Sequence, residues 1–95
     1  VLCFDRLTGR ARWRRDLSGT PADAPFSMFP PERGHAACTP TLTADGVVAL
    51  FGTGDLVKLD RGGRLLWARS LTTEYGPIRN DYGLAASPLV VGGLV

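Results

Sequence analysis

The sequence contains little that would indicate a membrane span or a polyanionic partner. Its longest apolar run, Val47–Phe51, is far shorter than the ~20 residues that a membrane helix needs. Eleven Lys and Arg residues against nine Asp and Glu give a formal net charge of +2, which is too small to favour nucleic acid or an anionic membrane surface. We therefore expect no nucleic-acid partner and no membrane span in this segment.

Side chains that commonly carry chemistry are also few. The two cysteines, Cys3 and Cys38, are far apart in the sequence, and His35 is the only histidine. Because no second His or Cys stands at ligand spacing, a zinc site has little support, and we interpret His35 as a loop residue bonded to the backbone. We interpret both cysteines as small buried apolar residues, with a disulfide or a metal ligand as the alternatives. No catalytic, cofactor-binding or metal-binding residue is therefore assigned, and no cofactor is expected.

Turn-forming residues are abundant in a composition that is otherwise globular. Twelve Gly and seven Pro residues indicate many turns and few long helices. No stretch carries an apolar stripe at helical spacing, so no helix is expected. The chain begins at Val1 without Met and ends in an apolar run at Leu94 and Val95, and we expect it to be part of a longer protein.

A motif that begins with Asp and ends with Trp occurs twice. The first copy runs from Asp5 to Trp13 and the second from Asp60 to Trp67, with a Gly-Arg pair inside each and one residue deleted in the second. The two tryptophans are 54 residues apart. Because the copies share residue types at matching positions, they indicate an internal repeat.

A second motif, Ser/Thr-Pro followed by apolar residues and Gly, also occurs twice and in the same order. Its prolines, Pro40 and Pro88, are 48 residues apart. Both spacings lie near the ~40–50 residues that propeller blades of the WD40 and kelch types occupy. Two motifs with a similar period predict a repeat architecture.

Within one period the pattern predicts four short strands joined by tight turns. A run such as Val47–Phe51 is typical of a strand buried on both faces, and alternation places Val57 and Leu59 on one face of the next strand. The predicted strands are Thr39–Thr43, Val47–Phe51, Leu56–Asp60 and Arg64–Leu71. Such strands form one up-and-down sheet. The predicted fold class is therefore all-β, a β-propeller fragment of four-stranded antiparallel blades, with a β-sandwich or a stack of hairpins as the alternatives.

The same pattern divides the chain into one complete blade and parts of two others. Residues 1–17 are assigned to the last two strands of one blade, 18–37 to an inter-blade loop, 38–71 to the complete blade, and 72–95 to a second loop and the start of the next blade. Because the second and fourth strands of a meander end on one side, both loops and the Gly52–Asp55 turn are expected on one face of the disc. We call this the loop face. It is expected to carry Phe26, Met28, Phe29, Arg33, His35, Glu74, Tyr75, Arg79, Asp81 and Tyr82, which either bind a protein partner or cover the edge of the sheet.

Four repeated residue types have structural explanations. Gly permits a turn conformation that is costly for other residues, and Asp accepts hydrogen bonds from N–H groups two or three residues on. A Trp at this point packs between adjacent blades while its indole N–H finds a carbonyl, and the Arg shares the face of its Trp. The repeated pairs are Asp5 and Asp60, Gly9 and Gly63, Trp13 and Trp67, and Arg15 and Arg69.

The segment from Asp5 to Trp13 resembles the repeat of the pyrroloquinoline-quinone-like (PQQ-like) β-propellers, in which D-x-x-T-G-x-x-x-W links the third and fourth strands of a blade. The strand from Gly54 to Asp60 fits the same pattern, whereas Gly62 and Gly63 depart from it. The resemblance covers nearly the whole chain. It implies a bacterial repeat protein of the quinoprotein-like or BamB-like kind, in an extracytoplasmic setting in the periplasm or at the outer membrane.

Fold resemblance says little about activity, so three functions stay open. The first is a non-catalytic scaffold for protein–protein binding, whose other partners are blades of the same chain. The second is part of a quinone-dependent dehydrogenase with active-site blades outside this segment, and the third is an accessory domain of another enzyme. The resemblance implies that the dehydrogenases need adjacent cysteines, and Cys3 and Cys38 are not adjacent. We therefore expect this chain alone to bind neither the quinone nor Ca²⁺.

Overall fold

The part of the chain that the structure describes is mostly β-structure, arranged as two antiparallel sheets. The computed structural model describes residues 1–19, 38–79 and 84–95. Its elements are β1 (Leu2–Phe4), β2 (Ala11–Arg14), β3 (Thr41–Thr43), β4 (Gly46–Leu50), β5 (Asp55–Asp60), β6 (Leu65–Ser70) and α1 (Leu71–Tyr75). Strands β1 and β2 form a two-stranded sheet, and β3 to β6 form a four-stranded sheet in chain order. The predicted up-and-down connection of four strands is confirmed.

The core lies in the two middle strands of the four-stranded sheet. Val47, Val48 and Ala49 are all buried in β4, as expected for a strand covered on both faces. In β5 the alternation is also confirmed, because Val57 and Leu59 are 4% and 0% exposed while the intervening lysine is half-buried. This core fixes the sheet whose turns and edges form the sites described below.

The β1–β2 and β5–β6 hairpins are copies of one structure. Cys3 pairs with Trp13 in the first, and Lys58 pairs with Trp67 in the second. Each hairpin has a register shift immediately after that cysteine or lysine. The register shift is a β-bulge, which increases the local twist of a strand. Because both hairpins have it at the matching position, the repeat in sequence is also a repeat in backbone geometry.

The turns of both hairpins have the predicted carboxylate bonds. Asp5 accepts a hydrogen bond from the backbone N–H of Thr8 at 2.9 Å, and Asp60 accepts from the backbone N–H groups of Gly62 and Arg64 at 2.8 and 2.9 Å. Bonds from N–H groups stabilise the charged carboxylate. They lower the pKa of Asp5, with Thr8 as the main cause, and of Asp60, with Arg64 as the main cause.

The opening of a further hairpin lies one repeat after β3. Thr43 pairs with Gly46 where β3 turns into β4. Val91 and Leu94, each 48 positions further along the chain, form an isolated antiparallel bridge. Each copy of the Ser/Thr-Pro motif is therefore followed by a turn whose ends pair in the same way.

The expectation that the chain has no helix is wrong. Helix α1 spans five residues, and the Ser70 side chain caps it by accepting from the N–H of Thr73. At the other end the N–H of Gly76 donates to Thr72 O at 3.1 Å. Caps satisfy the free backbone groups of a short helix, so α1 forms without an apolar stripe. In the part of the chain that the structure describes, no helix has the length and apolarity needed to cross a membrane.

Candidate functional site

The junction between the two sheets is built around Trp13. Its indole Nε1 donates to the main-chain oxygen of Arg61 at 2.8 Å. A Cβ added to Gly63 would lie 2.7 Å from Trp13 Cδ2, so the ring packs directly on the glycine backbone. Gly63 has a φ of +84°, and glycine is therefore required here by the turn conformation and by the close approach of the ring. The prediction that the indole N–H of Trp13 bonds a carbonyl is confirmed, whereas its packing between two propeller blades stays a prediction.

A second junction joins β3 to the segment that follows the four-stranded sheet. The N–H of Thr39 donates to Ser87 Oγ at 3.0 Å, across 48 residues. The Thr41 hydroxyl donates to Pro88 O. The Ser/Thr-Pro motif of one repeat thus bonds the same motif of the next. Sequence reasoning identified the motif but not this contact, although the spacing of 48 residues was the available signal.

The Gly52–Asp55 turn and the described ends of two connections lie together at one end of the strands of the four-stranded sheet, where the meander topology places the loop face. The N–H of Leu71, after β6, donates to Gly54 O at 2.9 Å, and the N–H of Leu84 donates to Gly52 O at 3.2 Å. The Gly52–Asp55 turn is therefore bonded to both ends of the 71–84 connection. The segment 15–19, which follows β2, approaches the same turn, because a Cβ at position 19 would lie 2.9 Å from the Asp55 carboxylate.

A cavity of 820 Å³ lies between segment 15–19 and the adjacent face of the sheet, among the residues that the structure describes. The residues that line it include the apolar Val57 and Leu65 and the charged Arg15 and Arg69. Thr53 donates its hydroxyl to the Asp55 carboxylate at 2.6 Å. A mainly apolar lining with a few polar and charged residues is typical of binding sites.

Three of the predicted loop-face residues are described, and all lie on or after α1. Glu74 forms a two-pronged ion pair with Arg69, whose Nε lies 2.9 Å from Glu74 Oε1. This pair lowers the pKa of Glu74 and raises that of Arg69, through hydrogen bonding first and charge second. Tyr75 is 78% exposed, and Arg79 is also exposed. The remaining predicted residues, Phe26, Met28, Phe29, Arg33, His35, Asp81 and Tyr82, lie outside the described residues.

The cysteines differ in environment. Both are free thiols, and Cys38 is buried with its Sγ 3.2 Å from Leu84 O. Burial raises the pKa of the Cys38 thiol, which makes it a poor nucleophile. The prediction that Cys3 is buried is wrong, because it is only half-buried in a sheet of two strands. Within residues 1–19, 38–79 and 84–95, no three His, Cys, Asp or Glu residues lie close enough together to hold a metal ion.

We expect acid to lower the free energy of unfolding, in part by protonating the Asp45 carboxylate. Lys58 Nζ lies 2.7 Å from Asp45 Oδ2, and Thr43 donates its hydroxyl to Oδ1 at 2.8 Å. The bond from Lys58, followed by that from Thr43, lowers the pKa of Asp45 from 3.8 to about 2. The pKa of Asp45 is therefore lower in the folded chain than in the unfolded chain. The stabilisation of the fold by the Asp45 carboxylate is complete at a pH above the unfolded pKa of 3.8 and is lost as the pH falls through about 2. Urea unfolding midpoints measured at decreasing pH test this.

Asp45→Asn is the control for that measurement. The variant keeps the size of the side chain but cannot titrate, so it should lose part of the acid dependence between about pH 4 and pH 2. Asp5, Asp60 and Glu74, whose pKa values are also lowered, should supply the part that remains. An unchanged acid dependence in Asp45→Asn would contradict the assignment.

Comparison of the chain with family models, with curated proteins and with solved structures gave no match. The features of the chain that bear on its function are the repeat, the two junctions and the end of the sheet where the connections meet.

Proposed function

We propose that this chain is a section of a PQQ-like β-propeller that acts as a non-catalytic scaffold for protein–protein binding. The observation that carries the proposal is the contact of Trp13 with the turn of the next sheet, in which the ring packs on Gly63 and the indole bonds Arg61 O. A propeller is a radial series of such sheets, each packed on its neighbours. Trp13 belongs to the repeated motif, so the same contact can join each blade to the next. A ring of similar blades requires a contact that repeats in this way.

Two further observations support the radial arrangement. The four-stranded sheet is a meander in chain order, as a propeller blade is. The bonds from Thr39 to Ser87 and from Thr41 to Pro88 join consecutive repeats a second time, at β3, which lies at the other side of the sheet from β6. A propeller has ~4–8 blades, so the proposal requires further repeats beside those of this chain.

The loop face, where the connections meet at the ends of the strands, supports the scaffold role. Long connections on a rigid sheet are common binding sites, and Tyr75 is 78% exposed there. Tyrosine is enriched at protein interfaces because it offers a large apolar ring together with a hydroxyl. The family resemblance also favours an extracytoplasmic location, in the periplasm or at the outer membrane.

Site-specific photo-cross-linking in the full-length protein tests the scaffold role. A photoreactive residue at Tyr75 should form cross-links to a partner protein in cells. A photoreactive residue at Leu7 should not form such cross-links. Leu7 is also accessible, at 85% exposed, but it lies in the β1–β2 turn, at the opposite end of the strands from the loop face. Equal cross-linking at both positions, or none at Tyr75, would contradict a binding role for this edge.

The dehydrogenase alternative is tested on the same full-length protein. Equilibrium dialysis with pyrroloquinoline quinone and Ca²⁺ should show no stoichiometric binding, because the proposal assigns a structural role to the repeat tryptophans. Stoichiometric quinone binding together with dye-linked oxidation of an alcohol would replace the scaffold by the enzyme.

A further inference from the structure

We draw no further inference here: the strongest candidate, the 820 Å³ cavity between segment 15–19 and the adjacent face of the four-stranded sheet, is lined by a segment that continues directly into residues 20–37, which lie outside the described residues, so nothing in the structure shows what covers it.

Discussion

Gly46→Ala is expected to destabilise the four-stranded sheet by about 4 kcal/mol or more, at the upper end of the effects of single substitutions. A Cβ at Gly46 would lie 1.9 Å from Leu59 O and 2.9 Å from Asp60 Cα. Both atoms belong to the backbone of β5, which pairs with β4 at this point. They cannot move aside without breaking the pairing that buries Leu59. Denaturant unfolding followed by circular dichroism measures the loss.

Gly93→Ala is the matched control for this substitution. Gly93 has an ordinary φ, like Gly46, but a Cβ there would meet nothing within 4 Å. Its free energy of unfolding should stay within about 0.5 kcal/mol of wild type. If Gly46→Ala also changed the free energy by less than about 1 kcal/mol, β4 and β5 would have to be separated at this point in solution.

The middle strands were the part of the fold that sequence patterns predicted best. Val57 and Leu59 alternate with polar residues, and Val47–Ala49 is continuously apolar, because all five residues are buried and burial favours apolar side chains. Strand ends were predicted less well. Strand β3 begins at Thr41 and not at Thr39, because the N–H of Thr39 is bonded to Ser87 and Pro40 has no N–H to donate.

The boundary between β6 and α1 shows why local chemistry can override a strand pattern. The apolar residue Leu71 continues the alternation of β6, yet it begins the helix. The Ser70 hydroxyl accepts from the N–H of Thr73, and a capped turn then satisfies the backbone groups that the sheet would have bonded. The side-chain bond contributes to this change from strand to helix, and hydrophobic periodicity does not detect it.

The candidate site was predictable in its residue types but not in its partners. The repeat identified Trp13 and Gly63 as packing and turn residues. It gave no sign that they touch each other, because the acceptor for the indole is the main-chain oxygen of Arg61, and a main-chain atom leaves no mark on the sequence. The cavity beside segment 15–19 likewise depends on how two sheets meet, which only the three-dimensional arrangement shows.

Trp13→Ala is expected to release the β1–β2 hairpin from the four-stranded sheet at a cost of about 3 kcal/mol. The substitution removes the ring that packs on Gly63 and the N–H that bonds Arg61 O, and the figure lies at the lower end of the range for large aromatic residues because Trp13 is only half-buried. A two-stranded hairpin is marginally stable by itself. Hydrogen exchange should therefore show loss of protection at the N–H of Asp5, which bonds Arg10 O, while amides of β4 and β5 stay protected.

Trp13→Phe separates the two parts of the contact. Phenylalanine keeps an apolar ring on the glycine but cannot donate to Arg61 O, and a lost hydrogen bond of this kind costs about 1 kcal/mol. The hairpin should then remain protected, with faster exchange than in the wild type. If the Asp5 amide kept full protection in Trp13→Ala, the sheets would be held together by other residues. The contact would then not join successive repeats, and the proposed propeller would lose the geometry from which it was inferred.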